Sequence, residues 1–332
     1  MICVSSEFDI IRHYFKRTTS TAVLGIGDDA ALIDSTPGME LAISTDTLVC
    51  DRHFFANTDP YRLGHKSLAV NLSDMAAIGA KPRWALLALT LPESLVQHHE
   101  IWLQQFSAGF FALAERYQVE LIGGDTTAGG LAINVQIIGE IARGKALRRS
   151  NATSGDDIWV SGELGNAALA LQHELGKIQL APEETDYCQA ALLSPAPRIE
   201  LGRQLIDLAH SAIDISDGLL ADLGHILENS QQSAVIHLDN LPCSAILQKR
   251  LPHPLVLRCL LAGGDDYELC FTAPPAHREK ITALSAALKL PLTRIGTITS
   301  GQGLIVKDAQ GNAMTMEITG YDHFSTGNRS YR

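Results

Sequence analysis

Short apolar runs that end in, or are interrupted by, carboxylates recur along the whole chain. Glu40-Leu-Ala-Ile-Ser-Thr, Arg83–Leu91, Val119-Glu-Leu-Ile and Leu131–Gly139 predict strands; the second stops at Pro92 and the last alternates in part. Between them, residues 60–79 and 98–117 carry apolar positions at helical spacing, with Pro60 placed to start a helix after Asp59. The polar stretch Arg143–Asp157 predicts a domain boundary. Beyond it, strands are expected at Ile158–Gly162, Ser211–Ile215, Ser233–Leu238, Tyr267–Thr272 and Leu292–Ile298, and helices at 198–209, 217–229 and 276–288. Both halves are therefore α/β (α+β), and the expected domains are 1–148 and 149–332.

Composition narrows the picture. A chain of 332 residues with 46% hydrophobic and 19% charged residues has ample core for two domains. Its net charge is −11 and no basic stripe offers phosphate neutralisation, so nucleic acid is not an expected partner. An anionic nucleotide would need cations to bridge it to the acidic groups. Met1-Ile-Cys-Val-Ser-Ser-Glu has neither a basic start nor an apolar stretch, so secretion is not expected. No run of about 18 apolar residues predicts a membrane span. The six cysteines are scattered without a C-x-x-C pair, which suits reduced thiols in the cytoplasm and argues against a soft-metal site.

Six acidic clusters carry the candidate chemistry. They are Gly25-Ile-Gly-Asp28-Asp29, Ser44-Thr45-Asp46, Asn71-Leu-Ser-Asp74, Gly123-Gly124-Asp125-Thr-Thr, Asp214-Ile-Ser216-Asp217 and Gly263-Gly-Asp265-Asp266-Tyr-Glu268. Carboxylates beside buried runs are costly unless paired, and few Lys or Arg stand nearby. Oxygen-only ligands point to hard cations such as magnesium. Helix capping by Asp or Ser accounts for some of them, notably Ser216 or Asp217 before the helix at Leu219. The Gly25 motif read alone is an ordinary Asp-containing turn as readily as a ligand loop. Ser44, Thr45 and Asp46 read as an oxygen-rich corner at a strand end, and Asn71 and Asp74 share one face of an apolar helix. There is no G-x-x-x-x-G-K-[ST], so any ATP site here is not a P-loop.

Taken in order, Gly25-Ile-Gly-Asp-Asp-Ala, Ser44-Thr-Asp-Thr-Leu, His53-Phe, His65-Lys-Ser-Leu-Ala-Val-Asn-Leu-Ser-Asp, Gly123-Gly-Asp-Thr-Thr, Ser216-Asp-Gly-Leu and Tyr321-Asp-His-Phe resemble the signatures of the thiamine-monophosphate kinase family. The wider group includes aminoimidazole ribonucleotide synthetase and selenophosphate synthetase. The resemblance implies a two-domain aminoimidazole ribonucleotide synthetase-like fold, with an N-terminal sheet domain that pairs in a homodimer, a C-terminal α/β domain and ATP near their junction. It implies the reaction of ATP with thiamine monophosphate to give thiamine diphosphate and ADP. It implies several magnesium ions held by Asp29, Ser44, Thr45, Asp46, Asp74, Asp125, Asp214 and Asp217. Nucleotide contacts would come from Gly124, Asp125, Arg149 and Ser216, and substrate contacts from His53, Asp265 and Tyr321. In one place the chain departs from the family: Gly-Gly-Glu-Asp-Tyr-Glu-Leu is here Gly263-Gly-Asp265-Asp266-Tyr-Glu-Leu.

The implied chemistry needs two phosphates held in line with their charge neutralised, and no covalent residue. Two alternatives remain at this stage. One is another ATP-dependent enzyme of the group, such as a ring-closing synthetase; the other is a non-catalytic magnesium-nucleotide sensor. Neither an EF-hand spacing nor a reactive cysteine in a glycine-rich setting is present.

Overall fold

The computed structural model describes residues 6–98 and 100–314. The described chain divides into two compact units, one of residues 6–75 and 80–143, the other of residues 76–79 and 144–314. Both units are α/β, as expected; the first holds a mixed four-stranded sheet and the second an almost wholly antiparallel six-stranded one.

The first unit is built on a four-stranded sheet in the order β3-β6-β4-β5, formed by β3 (Met39–Val49), β4 (Lys81–Leu91), β5 (Glu120–Ala128) and β6 (Ala132–Ala142). A small ribbon, β1 (Ala22–Leu24) against β2 (Leu32–Ile33), precedes it. Side chains alternate across each strand. Ala42 and Leu48 of β3 are buried, whereas Leu41 and Ile43, which flank Ala42, are exposed. The helices Pro60–Ile78 and Glu100–Tyr117 approach so closely that a Cβ on Gly64 would stand 2.0 Å from the Phe106 carbonyl oxygen, and one on Gly109 1.9 Å from that of Tyr61. Two glycines thus set the helix crossing. On the other face, Trp84, Ile122 and Ile138 pack with Ala22 and Ile33 of the ribbon.

The second unit has a six-stranded sheet in the order β12-β9-β11-β7-β10-β8. Its strands are β7 (Asp157–Ser161), β8 (Ser211–Asp214), β9 (Ser233–His237), β10 (Leu269–Ala273), β11 (Leu292–Thr299) and β12 (Gly303–Lys307). The pairings are antiparallel except β12 with β9. Leu220, Leu223, Ile226 and Leu227 of the helix Leu219–Ser230 join one core with Ile158, Ile213 and Leu260. The helices Asn166–Glu174, Pro182–Leu193 and Pro254–Ala262 had no clear signal in the apolar spacing. Among the described residues no helix is long and apolar enough to cross a membrane.

Candidate functional site

Two expectations about local structure change. Ser44, Thr45 and Asp46 do not form a corner at a strand end; they lie within β3, which continues to Val49. Alternation therefore sends Ser44 and Asp46 to one face and Thr45 to the other. Gly123 and Gly124 do not end β5 either, since the strand runs on through Asp125 to Ala128. Gly124 adopts φ 148°, and a Cβ there would meet the Leu87 carbonyl oxygen at 1.8 Å. The close approach that demands glycine at this position is to the neighbouring strand.

Within the first unit, the structure brings Ser44 and Asp74 together: the Ser44 hydroxyl donates to Asp74 Oδ2 on the helix Pro60–Ile78. One turn earlier on that helix, Asn71 is fully buried and its Nδ2 donates to the Ser67 carbonyl at 3.1 Å. Its Oδ1 has no hydrogen-bond partner among the described residues. Thr45 lies on the opposite face of β3. Its hydroxyl reaches the Val135 carbonyl at 3.1 Å and accepts from Asn134 Nδ2 at 3.2 Å. Register joins Asp46 to Gly124 through Val135 and Leu87, and Thr47 to Asp125 through Asn134 and Ala88. β3 and β5 are the two outer strands, so these pairs stand three strand spacings apart, roughly 14 Å. Asp29 is exposed in the bend between β1 and β2. His53 closes the turn after β3, where its Nδ1 accepts the Val49 N–H at 2.9 Å. A neutral ring therefore carries its proton on Nε2.

In the second unit, Asp214 ends β8 and is buried, and Ser216 and Asp217 follow in the loop before the helix Leu219–Ser230. Arg149 is exposed at the other end of that helix, where the Ser230 hydroxyl donates to its carbonyl at 2.8 Å. A 12-residue helix separates the two ends by about 17 Å. Asp265 is half-buried in left-handed backbone at φ 69°, and its N–H donates to the Ser216 carbonyl at 2.9 Å. Tyr267, also left-handed at φ 50°, donates its hydroxyl to Asp265 Oδ1 at 3.2 Å. The neighbouring acids have other duties. Asp266 accepts the Gly165 N–H at 2.9 Å, and buried Glu268 is held by Arg198 Nε at 2.7 Å and by the Ser161 hydroxyl. Tyr321 lies outside the described residues.

One carboxylate passed unnoticed in the sequence. Asp222, 2% exposed, accepts the backbone N–H groups of Ser216, Asp217 and Gly218 on a single oxygen, each at 3.0 Å. Burial, and then the charge of Asp217, push its pKa up to about 7 against the pull of those donors. Its signal was one acid in an otherwise apolar first turn, Leu219-Leu-Ala-Asp222-Leu.

Hydroxyl, carboxylate and amide oxygens are the donors these clusters offer, and the orphaned Asn71 oxygen lies beside them. That donor chemistry fits magnesium. Among the described residues no three His, Cys, Asp or Glu side chains cluster tightly enough to cage a metal. Magnesium does not need such a cage, because it commonly binds through one or two carboxylates plus waters and substrate phosphates.

Comparison with known proteins identifies the family. The model for the N-terminal domain of AIR synthase related proteins matches residues 27–141, and that for the C-terminal domain matches residues 153–309. The thiamine-monophosphate kinase of Escherichia coli (strain K12) is 45% identical over 326 residues, covering 96% of this chain and 98% of the relative. That of Bacillus subtilis (strain 168) is 37% identical over 327 residues, covering 96% and 99%. The chain belongs to the thiamine-monophosphate kinase family. Among solved members of the family, the thiamine-monophosphate kinase from Stenotrophomonas maltophilia K279a superposes with a TM-score of 0.81 at 47% identity, covering 89% of this chain and 92% of that one. A ThiL protein complexed with AMPPCP and TMP superposes with a TM-score of 0.76 at 30% identity, covering 88% and 89%.

Proposed function

We propose that this chain transfers the γ-phosphoryl group of ATP directly to thiamine monophosphate, giving thiamine diphosphate and ADP. The observation that carries this reading is full-length similarity to thiamine-monophosphate kinases, at 45% identity over 96% of the chain. A family member complexed with AMPPCP, an ATP analogue, and TMP supports the same pair of substrates. The ring-closing and sensor alternatives have no comparable support.

The residues divide the work by chemistry. Ser44, Asp46 and Asp74 in the first unit would hold magnesium, as would Asp214 and Asp217 in the second; Asp29, and Thr45 and Asp125 on the opposite face of the sheet, would serve further ions. Bound there, magnesium would supply charge neutralisation for two phosphates that otherwise repel each other. Ser216, Gly124, Asp125 and Arg149 would contact the nucleotide. Arg149 and Ser216, at the two ends of one helix, suit the two ends of an extended ATP. His53, whose Nδ1 accepts the Val49 N–H, would contact a phosphate oxygen of the acceptor. Asp265 would hold the thiamine end, together with Tyr321. A phosphate monoester is largely ionised near neutral pH, with a second pKa of about 6, so no strong general base is needed.

Direct transfer inverts configuration at phosphorus. With a chiral γ-thiophosphate donor, inversion is the expected result; retention, or labelled protein trapped after ATP alone, would overturn the direct route and point to a covalent carrier. The same reading places the enzyme in the cytoplasm, in keeping with five free cysteines among the described residues, and makes it a homodimer.

A further inference from the structure

We propose that Asp222 is a positioning residue for the transfer, fixing the loop of Ser216 and Asp217 and, through that loop, the backbone of Asp265 and Tyr267. This rests on the function proposed above. Three successive N–H groups converging on one point form a nest of the kind that binds phosphate or another anion. Here the acceptor is built in: Asp222 Oδ2 takes the N–H groups of Ser216, Asp217 and Gly218, each at 3.0 Å. The nest is therefore closed to substrate phosphate, and the side chains of Ser216 and Asp217 are what the loop offers.

The carbonyl side of the same loop is also committed. The Ser216 carbonyl accepts the Asp265 N–H at 2.9 Å and the Ile215 carbonyl accepts the Tyr267 N–H at 2.8 Å, while the Ile215 N–H donates to the Glu268 carbonyl at 2.8 Å. Asp265 and Tyr267 both hold left-handed backbone, a conformation that persists only where its surroundings over-determine it. The 215–216 carbonyls supply that constraint, and Asp222 holds those carbonyls in place. The proposed nucleotide loop and the proposed thiamine phosphate loop are thus one hydrogen-bonded unit with a buried carboxylate behind it. Loss of that carboxylate leaves three amides without an acceptor and frees both loops.

The test compares Asp222→Ala and Asp222→Asn with wild type, all as full-length protein. Readouts are melting temperature, kcat, KM for each substrate, and the Kd of magnesium-AMPPCP by calorimetry in the absence of turnover. For Asp222→Ala the expected result is a loss of kcat of about a hundredfold, a rise in both KM values, and AMPPCP binding weakened about tenfold. Asp222→Asn keeps an oxygen acceptor of the same shape and is expected to recover much of the kcat while still binding AMPPCP measurably more weakly than wild type. Should Asp222→Ala fail to fold, Asp222→Asn decides alone. A variant with a lower melting temperature but wild-type KM values and AMPPCP affinity would overturn the proposal, because it would show a role in stability only. Absence of thiamine-monophosphate-dependent turnover in wild type would instead overturn the functional reading beneath it.

Discussion

At the scale of single residues, the Glu-to-Asp departure at position 265 has a physical reading. The residue sits at φ 69°, where Asp is far better tolerated than Glu because its short side chain can bond locally. The Tyr267 hydroxyl at 3.2 Å is such a partner. Loss of one methylene of reach is thus accompanied by a better fit to the backbone. Asp265→Asn keeps the left-handed preference and removes the charge. It is expected to raise KM for thiamine monophosphate about tenfold, a loss near 1.4 kcal/mol, with KM for ATP unchanged. Steady-state kinetics in both substrates checks this, and equal effects on both, or none, would remove Asp265 from the substrate site. Most candidate acids were legible as clusters. Asp222 was not, because one carboxylate in an apolar first turn looks like an ordinary helix start, and its three backbone donors exist only once the loop has folded back.

At the scale of elements, the strands with continuous apolar runs, such as β4, were plain from the sequence. β3 and β5 were read too short because their polar halves lack apolar alternation. Thr45, Thr47 and Asn134 instead carry the β3–β6 pairing with side-chain hydrogen bonds on the exposed face. Another polar contact, the clamp of Glu120 on β5, ties down the segment leading to Gly25-Ile-Gly-Asp-Asp. Its carboxylate accepts the N–H groups of Ser20, Thr21 and Ala22 at 2.7, 3.0 and 3.2 Å, and both hydroxyls as well. Burial alone would raise its pKa, but these donors outweigh it and hold it at about 2, below the ordinary 4.5. A depressed carboxylate stabilises the fold above its unfolded pKa and loses that contribution as pH falls toward its folded one. Wild-type melting temperature should therefore drop progressively from about pH 5 to about pH 2, and Glu120→Gln should melt lower at neutral pH with a shallower acid slope. Parallel slopes in the two proteins would show that Glu120 is not the clamp.

At the scale of the whole molecule, the α/β class was legible from strands and helices interleaved in both halves. The family was legible from the order of motifs, although the faces on which Ser44 and Thr45 lie were not. One surface of the first unit stands out. Ile43, Ile138 and Trp84 share a row across β3, β6 and β4. The ribbon partner Ala22 packs on the Trp84 cluster, while Ile43 remains 59% exposed beside Leu41 at 42%. An apolar face on an edge strand calls for a cover, and a second copy of this face would supply one under two-fold symmetry. Light scattering should give a dimer at micromolar protein and a shift toward monomer for Ile43→Lys. A stable wild-type monomer at that concentration would contradict the pairing.

The reaction itself can be measured directly. Purified protein is incubated with ATP, magnesium and thiamine monophosphate, and the phosphorylated products are followed directly by phosphorus NMR. Thiamine diphosphate and ADP are expected to appear in equal amounts, with ATP left intact when thiamine monophosphate is omitted. Folded protein that forms no thiamine diphosphate, or that consumes ATP without regard to thiamine monophosphate, would contradict the proposed reaction.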